Sequence, residues 1–193
     1  MLQGHHVDLQ PLDLDDLPAL YEVAADKALW KHIPTDCSRP DRFMESYTKS
    51  IQDRDAGIQY PFLILGRDAR QIIGSTRLFD LHPQDRKLEI GWTWIAQAYW
   101  GTDVNLECKS LLLTFCFETL GARRVQLKTD ELNIRSRKAI EKIGARFEGI
   151  LRKDRIKEDG LSRNAAYYSI IDEEWPAVKE ALLQKLTHGQ ADL

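Results

Sequence analysis

The run Trp100-Gly101-Thr102-Asp103-Val104-Asn105 joins a tryptophan-rich strand pattern ending at Ile95 to a long apolar helix pattern from Asn105 to Leu120. After Gly121 a short strand pattern follows, Arg124 to Thr129. Strand, helix, strand is a βαβ crossover, and that connection makes the sheet parallel at this point. The strand-to-helix loop also leaves backbone N–H groups without partners at the positive end of a helix dipole, which makes it an anion site. For Gly101 taken alone, an ordinary helix-entry turn is the favoured reading.

Upstream the pattern is antiparallel. Pro61 to Gly66, Ile72 to Leu81 and Lys87 to Ile95 read as three strands with short links, the first turn being Arg67 to Arg70. In the third, side chains alternate, so Leu88, Ile90, Trp92 and Trp94 are expected on one face and Glu89, Gly91 and Thr93 on the other. Glu89 then points away from the tryptophans. Before these strands come a strand at Val7 to Leu12, a helix from Asp13 to about Asp26 and a second helix from Pro40 through Ile51. Downstream, Asn133 is suited to cap a helix that ends at Gly144. Arg146 to Arg155 and Ala165 to Ile171 form a hairpin across Lys157 to Gly160, and a helix from Glu173 to about Leu186 follows. The expected fold is a single α+β domain over 1–193, with its core over 7–175: a mixed antiparallel and parallel twisted sheet of about seven strands, flanked by helices on both faces.

Charge narrows the function classes. Net charge is -3 with 27 basic and 30 acidic residues interspersed, so no basic face points to nucleic acid. Cys37, Cys108 and Cys116 are an odd number without paired spacing and read as reduced thiols. No apolar run approaches a membrane span, and Met1 to His6 has no charged-then-apolar leader pattern. The chain reads as soluble and cytoplasmic. His5-His6 has no third or fourth ligand at useful spacing, so no metal is expected.

The order Leu88-Glu89-Ile90-Gly91-Trp92, Tyr99-Trp100-Gly101-Thr102, Leu127-Lys128-Thr129-Asp130 and Asn133-Ile134-Arg135-Ser136 resembles the GNAT superfamily of acetyl-CoA-dependent N-acetyltransferases. Gly144-Ala145, Glu148 to Arg152 and Tyr168-Ser169-Ile170 are similar to its RimJ/RimL-like branch. The resemblance implies a transferase moving an acetyl group from acetyl-CoA to a primary amine by direct attack in a ternary complex, without a metal. The acceptor it implies is a protein or peptide N-terminal α-amine. A small-molecule amine such as an amino acid, polyamine or aminoglycoside is the rival acceptor, and a non-catalytic acyl-CoA-binding module is the rival class. A homodimer is left open.

By the same resemblance, Trp100, Gly101, Thr102, Asp103, Val104 and Asn105 would cradle the CoA pyrophosphate through backbone N–H groups. Trp94 and Ile95 would border the thioester, with a backbone N–H there serving the oxyanion where the strand splays. Asn133 would bond the pantetheine arm or act as a plain N-cap, and Arg135 and Arg137 would meet phosphates. The family's loop carries a small residue where this chain has Asp103, whose charge disfavours a pyrophosphate unless the side chain turns outward. Asp103→Gly is accordingly expected to tighten cofactor binding.

Ser136 shares the stripe of Ile140 and Ile143, since residues four apart stack. It would protonate the departing thiolate, or merely back-bond to the preceding turn. Tyr167 or Tyr168 is the alternative acid. Glu89 would be the general base. A free glutamate has a pKa of about 4.3, against about 7.7 to 8.0 for an α-amine and about 10.4 for lysine, so the match requires desolvation and favours α-amines. Its other reading is a solvent-facing strand acid. Trp30, Tyr47 and Tyr168 are assigned to the acceptor pocket, His32 to the surface, and Glu148 to a salt bridge with Arg146 or Arg152.

Overall fold

The computed structural model describes residues 1–68, 70–157 and 160–188. Eight strands form one sheet: β1 (Leu2–Gln3), β2 (Val7–Pro11), β3 (Tyr60–Gly66), β4 (Gln71–His82), β5 (Lys87–Ile95), β6 (Arg124–Asp130), β7 (Arg146–Ile156) and β8 (Ser162–Ile171). Their spatial order is β1-β2-β3-β4-β5-β6-β8-β7. All neighbours are antiparallel except β5 and β6, which pair in parallel over Lys87↔Arg124, Leu88↔Val125 and Glu89↔Gln126. The crossover expected around Gly101 is therefore present, as is the mixed sheet. The expected turn at Arg67 to Arg70 contains Ala69, and the expected loop Lys157 to Gly160 contains Glu158 and Asp159; those three residues lie outside the described ones.

Five helices cover the sheet: α1 (Leu17–Ala24), α2 (Pro40–Asp55), α3 (Val104–Thr114), α4 (Ile134–Lys142) and α5 (Trp175–His188). Proline in the first turn starts both α1 and α2, where a missing N–H costs nothing. α3 begins one residue before the expected start and runs into a π-helical turn, Phe115–Thr119, before Gly121 at φ 63° ends it. Leu106, Leu112 and Leu113 of α3 pack with Leu88, Ile90, Val125 and Leu182 in one core. On the opposite face Leu17, Leu20, Phe43, Tyr47 and Ile51 of α1 and α2 pack with Leu63 and Trp94.

Strict alternation along β5 fails at one residue, and the failure shapes the site. Trp92 takes a left-handed φ of 52°, and pairing with β4 slips between Ser75↔Trp94 and Arg77↔Gly91. This is a β-bulge, one extra residue on β5 that re-aims the side chains beyond it. Leu88 and Ile90 face the α3 core, but Trp94 faces α2, where its Nε1 donates to the Tyr47 hydroxyl at 2.6 Å. Trp92 lies on the α2 side as well, with the Arg77 guanidinium 4.6 Å from its ring and 4.8 Å from that of Tyr47. Thr93 turns to α3 instead, where Lys109 Nζ donates to its hydroxyl at 2.5 Å. Glu89, which alternates with Leu88 and Ile90, thus shares the sheet face of the tryptophans rather than opposing them. Opposite the bulge, a Cβ at Gly74 would lie 2.2 Å from the carbonyl oxygen of Trp94, so no larger residue fits there.

β1 has too few residues to be legible as a strand and is held by one side chain. The Glu107 carboxylate of α3 accepts from the backbone N–H of His5, His6 and Val7 at 2.6, 2.6 and 2.8 Å. It is buried, at 4% exposure.

Candidate active site

Beyond Glu89 and Gln126, β5 and β6 stop pairing, and the opening between them continues as a cleft of about 270 Å³. The twist and bulge of β5 drive the two strands apart, as parallel pairing cannot follow a strand that gains a residue. One end of the cleft is bounded by Trp100, Gly101 and Asn105 at the start of α3 and by Asn133, Arg135 and Ser136 at the start of α4. Phe79, Glu89 and Lys128 border the cleft near the last paired rung of β5 and β6, and His32 and Arg163 border it as well. Two helix starts at one end and a carboxylate at the other separate an anion-holding region from a proton-accepting one.

At the helix end, Gly101 has φ 81°, and a Cβ there would meet nothing within 4 Å, so the need for glycine is conformational. The first-turn amides of α3 have no partner within the helix. Arg135 lays its guanidinium 3.4 Å from the Trp100 ring centroid, while the Trp100 Nε1 donates to the Ile95 carbonyl at 2.7 Å. Arg135 has no carboxylate within ion-pair distance among the described residues, and burial holds its pKa below the usual arginine range. An arginine stacked on an indole at a helix start, with no acid of its own, suits a phosphate.

Asn133 Oδ1 accepts from the Ser136 N–H at 3.1 Å, so Asn133 is an N-cap and still borders the cleft. Ser136 borders it too, and among the described residues its hydroxyl makes no back-bond to the preceding turn. Asp103 sits at the N-cap position of α3 without a side-chain cap. Its carboxylate turns toward Lys142 at 3.8 Å and does not border the cleft, so the premise of the tighter binding expected for Asp103→Gly is absent in this geometry.

Glu89 is 1% exposed. Its Oε2 accepts from Gln126 Nε2 at 2.8 Å and pairs with Lys128 Nζ at 3.2 Å. Burial pushes its pKa above the usual carboxylate range, while Lys128 and the Gln126 hydrogen bond oppose that rise. A buried carboxylate with a raised pKa that borders a cleft has the properties a proton acceptor requires. Lys109 lies across the cleft on α3, buried, with the Thr93 hydroxyl as its hydrogen-bond partner, and burial lowers its pKa.

Several expected residues lie elsewhere. Trp30 is a core residue, its Nε1 donating to the Ala24 carbonyl at 2.8 Å and its ring 5.4 Å from Trp94. Tyr47 is fully buried, with its hydroxyl taken by Trp94. Tyr168 is fully buried under α4, its hydroxyl donating to Glu141 and accepting from Arg137, each at 2.9 Å. Arg137 is thereby turned from the phosphate end, its guanidinium 5.3 Å from the Phe147 ring. Thr102 bonds the Tyr99 carbonyl at 2.8 Å, and Val104 joins the α3 core; neither side chain borders the cleft. Trp94 and Ile95 do border it, although the backbone distortion falls earlier, at Trp92. Tyr167 donates to Asp154 at 2.9 Å, does not border the cleft, and has its pKa pushed up to about 12, chiefly by burial. Glu148 pairs with Arg124 at 2.5 Å and with Ser169 at 2.7 Å rather than with Arg146 or Arg152.

Sequence reasoning missed Lys109, Arg163 and the cleft role of His32. Lys109 follows Asn105 by one helical turn on the same face, and Arg163 alternates with Ala165 and Tyr167 on β8, so periodicity could have pointed to both. Among the described residues no three His, Cys, Asp or Glu side chains gather as a metal site, and no helix is long and apolar enough to cross a membrane.

The family model described as Acetyltransferase (GNAT) domain matches residues 6–146. YdaF of Bacillus subtilis (strain 168), which carries the provisional name ribosomal N-acetyltransferase, is 28% identical over 91% of this chain and 97% of its own. A crystal structure provisionally described as an acetyltransferase from T. thermophilus is 34% identical, covers 96% of each chain and has a TM-score of 0.84. The fold is also similar to that of Mycobacterium smegmatis RimJ in complex with CoA-disulfide, 21% identical over 93% of this chain and 88% of that one, with a TM-score of 0.79.

Proposed function

We propose that this chain, which belongs to the GNAT acetyltransferase family and is an N-acetyltransferase of RimJ/RimL-like type, carries acetyl from acetyl-CoA to an N-terminal α-amine of a protein or peptide. The observation that carries the reading is the opening of β5 from β6 beyond Glu89, with the start of α3 at one end and the Glu89 carboxylate at the other. The residues present fit a CoA-type cosubstrate. Gly101, Asn105 and the α3 amides suit its pyrophosphate, Arg135 on Trp100 suits a phosphate, and Asn133 borders the path of the arm between them. Such neighbours in the fold as the CoA-disulfide complex of RimJ add support.

Bound acetyl-CoA would supply a thioester carbonyl open to attack and a thiolate to leave. Glu89 takes the proton that the amine gives up as its nitrogen forms the new bond to carbon. The raised pKa of Glu89 brings it closer to an α-amine near 7.7 to 8.0 than to a lysine near 10.4. Ser136, whose hydroxyl borders the cleft without a partner among the described residues, gives its proton to sulfur as the carbon–sulfur bond breaks and regains one from solvent, to which Glu89 releases the amine's proton. Lys128 holds Glu89 in its ionised, proton-accepting form through the 3.2 Å contact.

That last role gives a signed expectation. Because the positive charge of Lys128 lowers the Glu89 pKa against burial, Lys128→Met moves it further up, so the acidic limb of the kcat/KM profile shifts to higher pH. A limb that stays in place or moves to lower pH contradicts the assignment of Glu89 and Lys128.

Acceptor class is read by mass spectrometry after incubation with acetyl-CoA. Acetylated N-terminal peptides in a mixed peptide library support the reading. Turnover of a small amine together with no acetylation of any peptide replaces it with the small-molecule alternative.

A further inference from the structure

We propose that the acceptor end of the cleft binds a carboxylate carried by the acceptor, gripped by Arg163 with Arg155 beside it, so that the enzyme selects amines bearing a nearby acidic group and rejects polycationic amines. The proposal deepens the acetyltransferase reading above and rests on it.

Arg163 is 8% exposed, yet its guanidinium makes no hydrogen bond among the described residues, and its Nε is buried without a partner. Buried donors in folded proteins are nearly always paired, and an unpaired charged donor is among the costlier defects a core can hold. The acids nearby do not resolve it. Asp130 Oδ2 lies 3.7 Å from Nε, beyond hydrogen-bond range, while Asp130 Oδ1 accepts from the Leu132 N–H at 2.9 Å. Asp154 accepts from Tyr167 through Oδ1 while its Oδ2 is buried without a hydrogen-bond partner and makes none with Arg163, and Glu89 is committed to Gln126 and Lys128. Burial holds the Arg163 pKa below the usual range, while the charges of Asp130, Asp154 and Glu89 oppose that fall without supplying a hydrogen bond.

The position of Arg163 places this unmet need in the cleft. Lys128 of β6 faces Tyr167 of β8, and Asp130 faces Ala165; two residues further along β8, Arg163 continues the same face. Glu89 and Lys128 therefore share a sheet face with Arg163, and all three border the cleft. Across the β7–β8 hairpin, Arg155 is the register partner of Arg163, and it borders the cleft too. Two like charges directly opposite on a sheet repel, and an anion between them removes the repulsion while supplying the missing acceptor oxygens. A carboxylate matches the planar fork of a guanidinium. A polyamine or aminoglycoside would bring further positive charge to a surface whose lining cations, Lys109, Lys128, Arg135, Arg155 and Arg163, face Glu89 as the lining acid.

One carboxylate could come from a free amino acid or from an acidic side chain beside a peptide N-terminus, and matched pairs separate the sources. Thiol release from acetyl-CoA is measured with alanine against alaninamide, with the C-terminally amidated peptide Ala-Asp-Ala-Ala against Ala-Asn-Ala-Ala, and with spermidine. In one pair the carboxylate member is expected to have a KM roughly tenfold lower than its amide, and spermidine to be the poorest acceptor. Arg163→Gln abolishes the difference in KM between the carboxylate member and its amide, while the KM for acetyl-CoA stays as it was. Arg163→Lys recovers part of the loss, and Arg155→Gln, at an exposed position, gives a smaller rise.

Equal KM values within both pairs, or an Arg163→Gln effect shared by acid and amide alike, would overturn the proposal. A second measurement is independent of turnover: calorimetry of the four N-acetylated products with CoA present. Tighter binding of the carboxylate member supports the site, and equal binding overturns it. Absence of thiol release from every amine sinks the acetyltransferase reading instead, and calorimetry still decides the carboxylate site.

Discussion

Glu89→Gln is expected to lower kcat/KM for amine acetylation by roughly 10³-fold, within the span that loss of a positioned general base produces. Thermal stabilisation by CoA should remain as in the unaltered protein, because the contacts of Glu89 are with Gln126 and Lys128 and not with Gly101 or Arg135. Shape is conserved in the substitution. The amide can still accept from Gln126 and Lys128, but it cannot take a proton from an amine. Loss of the carboxylate also removes the acidic limb of the pH profile, since burial places the titration of Glu89 above the ordinary glutamate range. A variant within about fivefold of normal activity, or one that keeps the same acidic limb, would assign the base elsewhere.

The second large effect concerns stability rather than chemistry. Glu107→Ala leaves the N–H groups of His5, His6 and Val7 without their acceptor. Only the Val7 N–H is fully buried and those of His5 and His6 are part-buried, so at about 1 to 3 kcal/mol for an unpaired buried donor and less where water reaches, the loss is roughly 2 to 4 kcal/mol. For a chain of this length that is a fall of about 10 °C in Tm, out of a total stability of roughly 5 to 15 kcal/mol. Glu107→Gln keeps one acceptor oxygen and turns a donor toward the remaining amides, so it should fall between the two. Denaturant unfolding decides the matter. A loss below about 1 kcal/mol for Glu107→Ala would show that the β1–β2 segment is held by its strand pairing alone.

How far the sequence led depends on which physical signal each element left in it. β5, α3, β6 and α4 were legible because period-two and period-3.6 patterns are interrupted there by Gly101, Gly121, Asn133 and Gly144, each with a local backbone reason. Glu89 was legible as a lone carboxylate on a strand whose neighbours are small or apolar. The bulge at Trp92 was not, because no residue type announces a left-handed φ at a tryptophan. That single residue reversed the expected faces of Trp92, Trp94 and Thr93. Trp30, Tyr47 and Tyr168 were misplaced for a related reason: a large aromatic side chain looks the same in a one-dimensional pattern whether it fills a core or lines a pocket. Glu107 depends on partners about a hundred residues away in the chain, and Arg163 lies against a carboxylate about thirty residues away; no local pattern encodes such distances.

Initial-velocity thiol release, with acetyl-CoA and an N-terminal peptide amine both varied, tests the proposed direct transfer most directly. The account predicts intersecting double-reciprocal lines, no burst of thiol when the amine is omitted, and loss of the amine-dependent rate in Glu89→Gln. Parallel lines with a thiol burst in the absence of amine would indicate an acyl-enzyme and contradict direct attack, and no amine-dependent release at all would contradict the acetyl transfer itself.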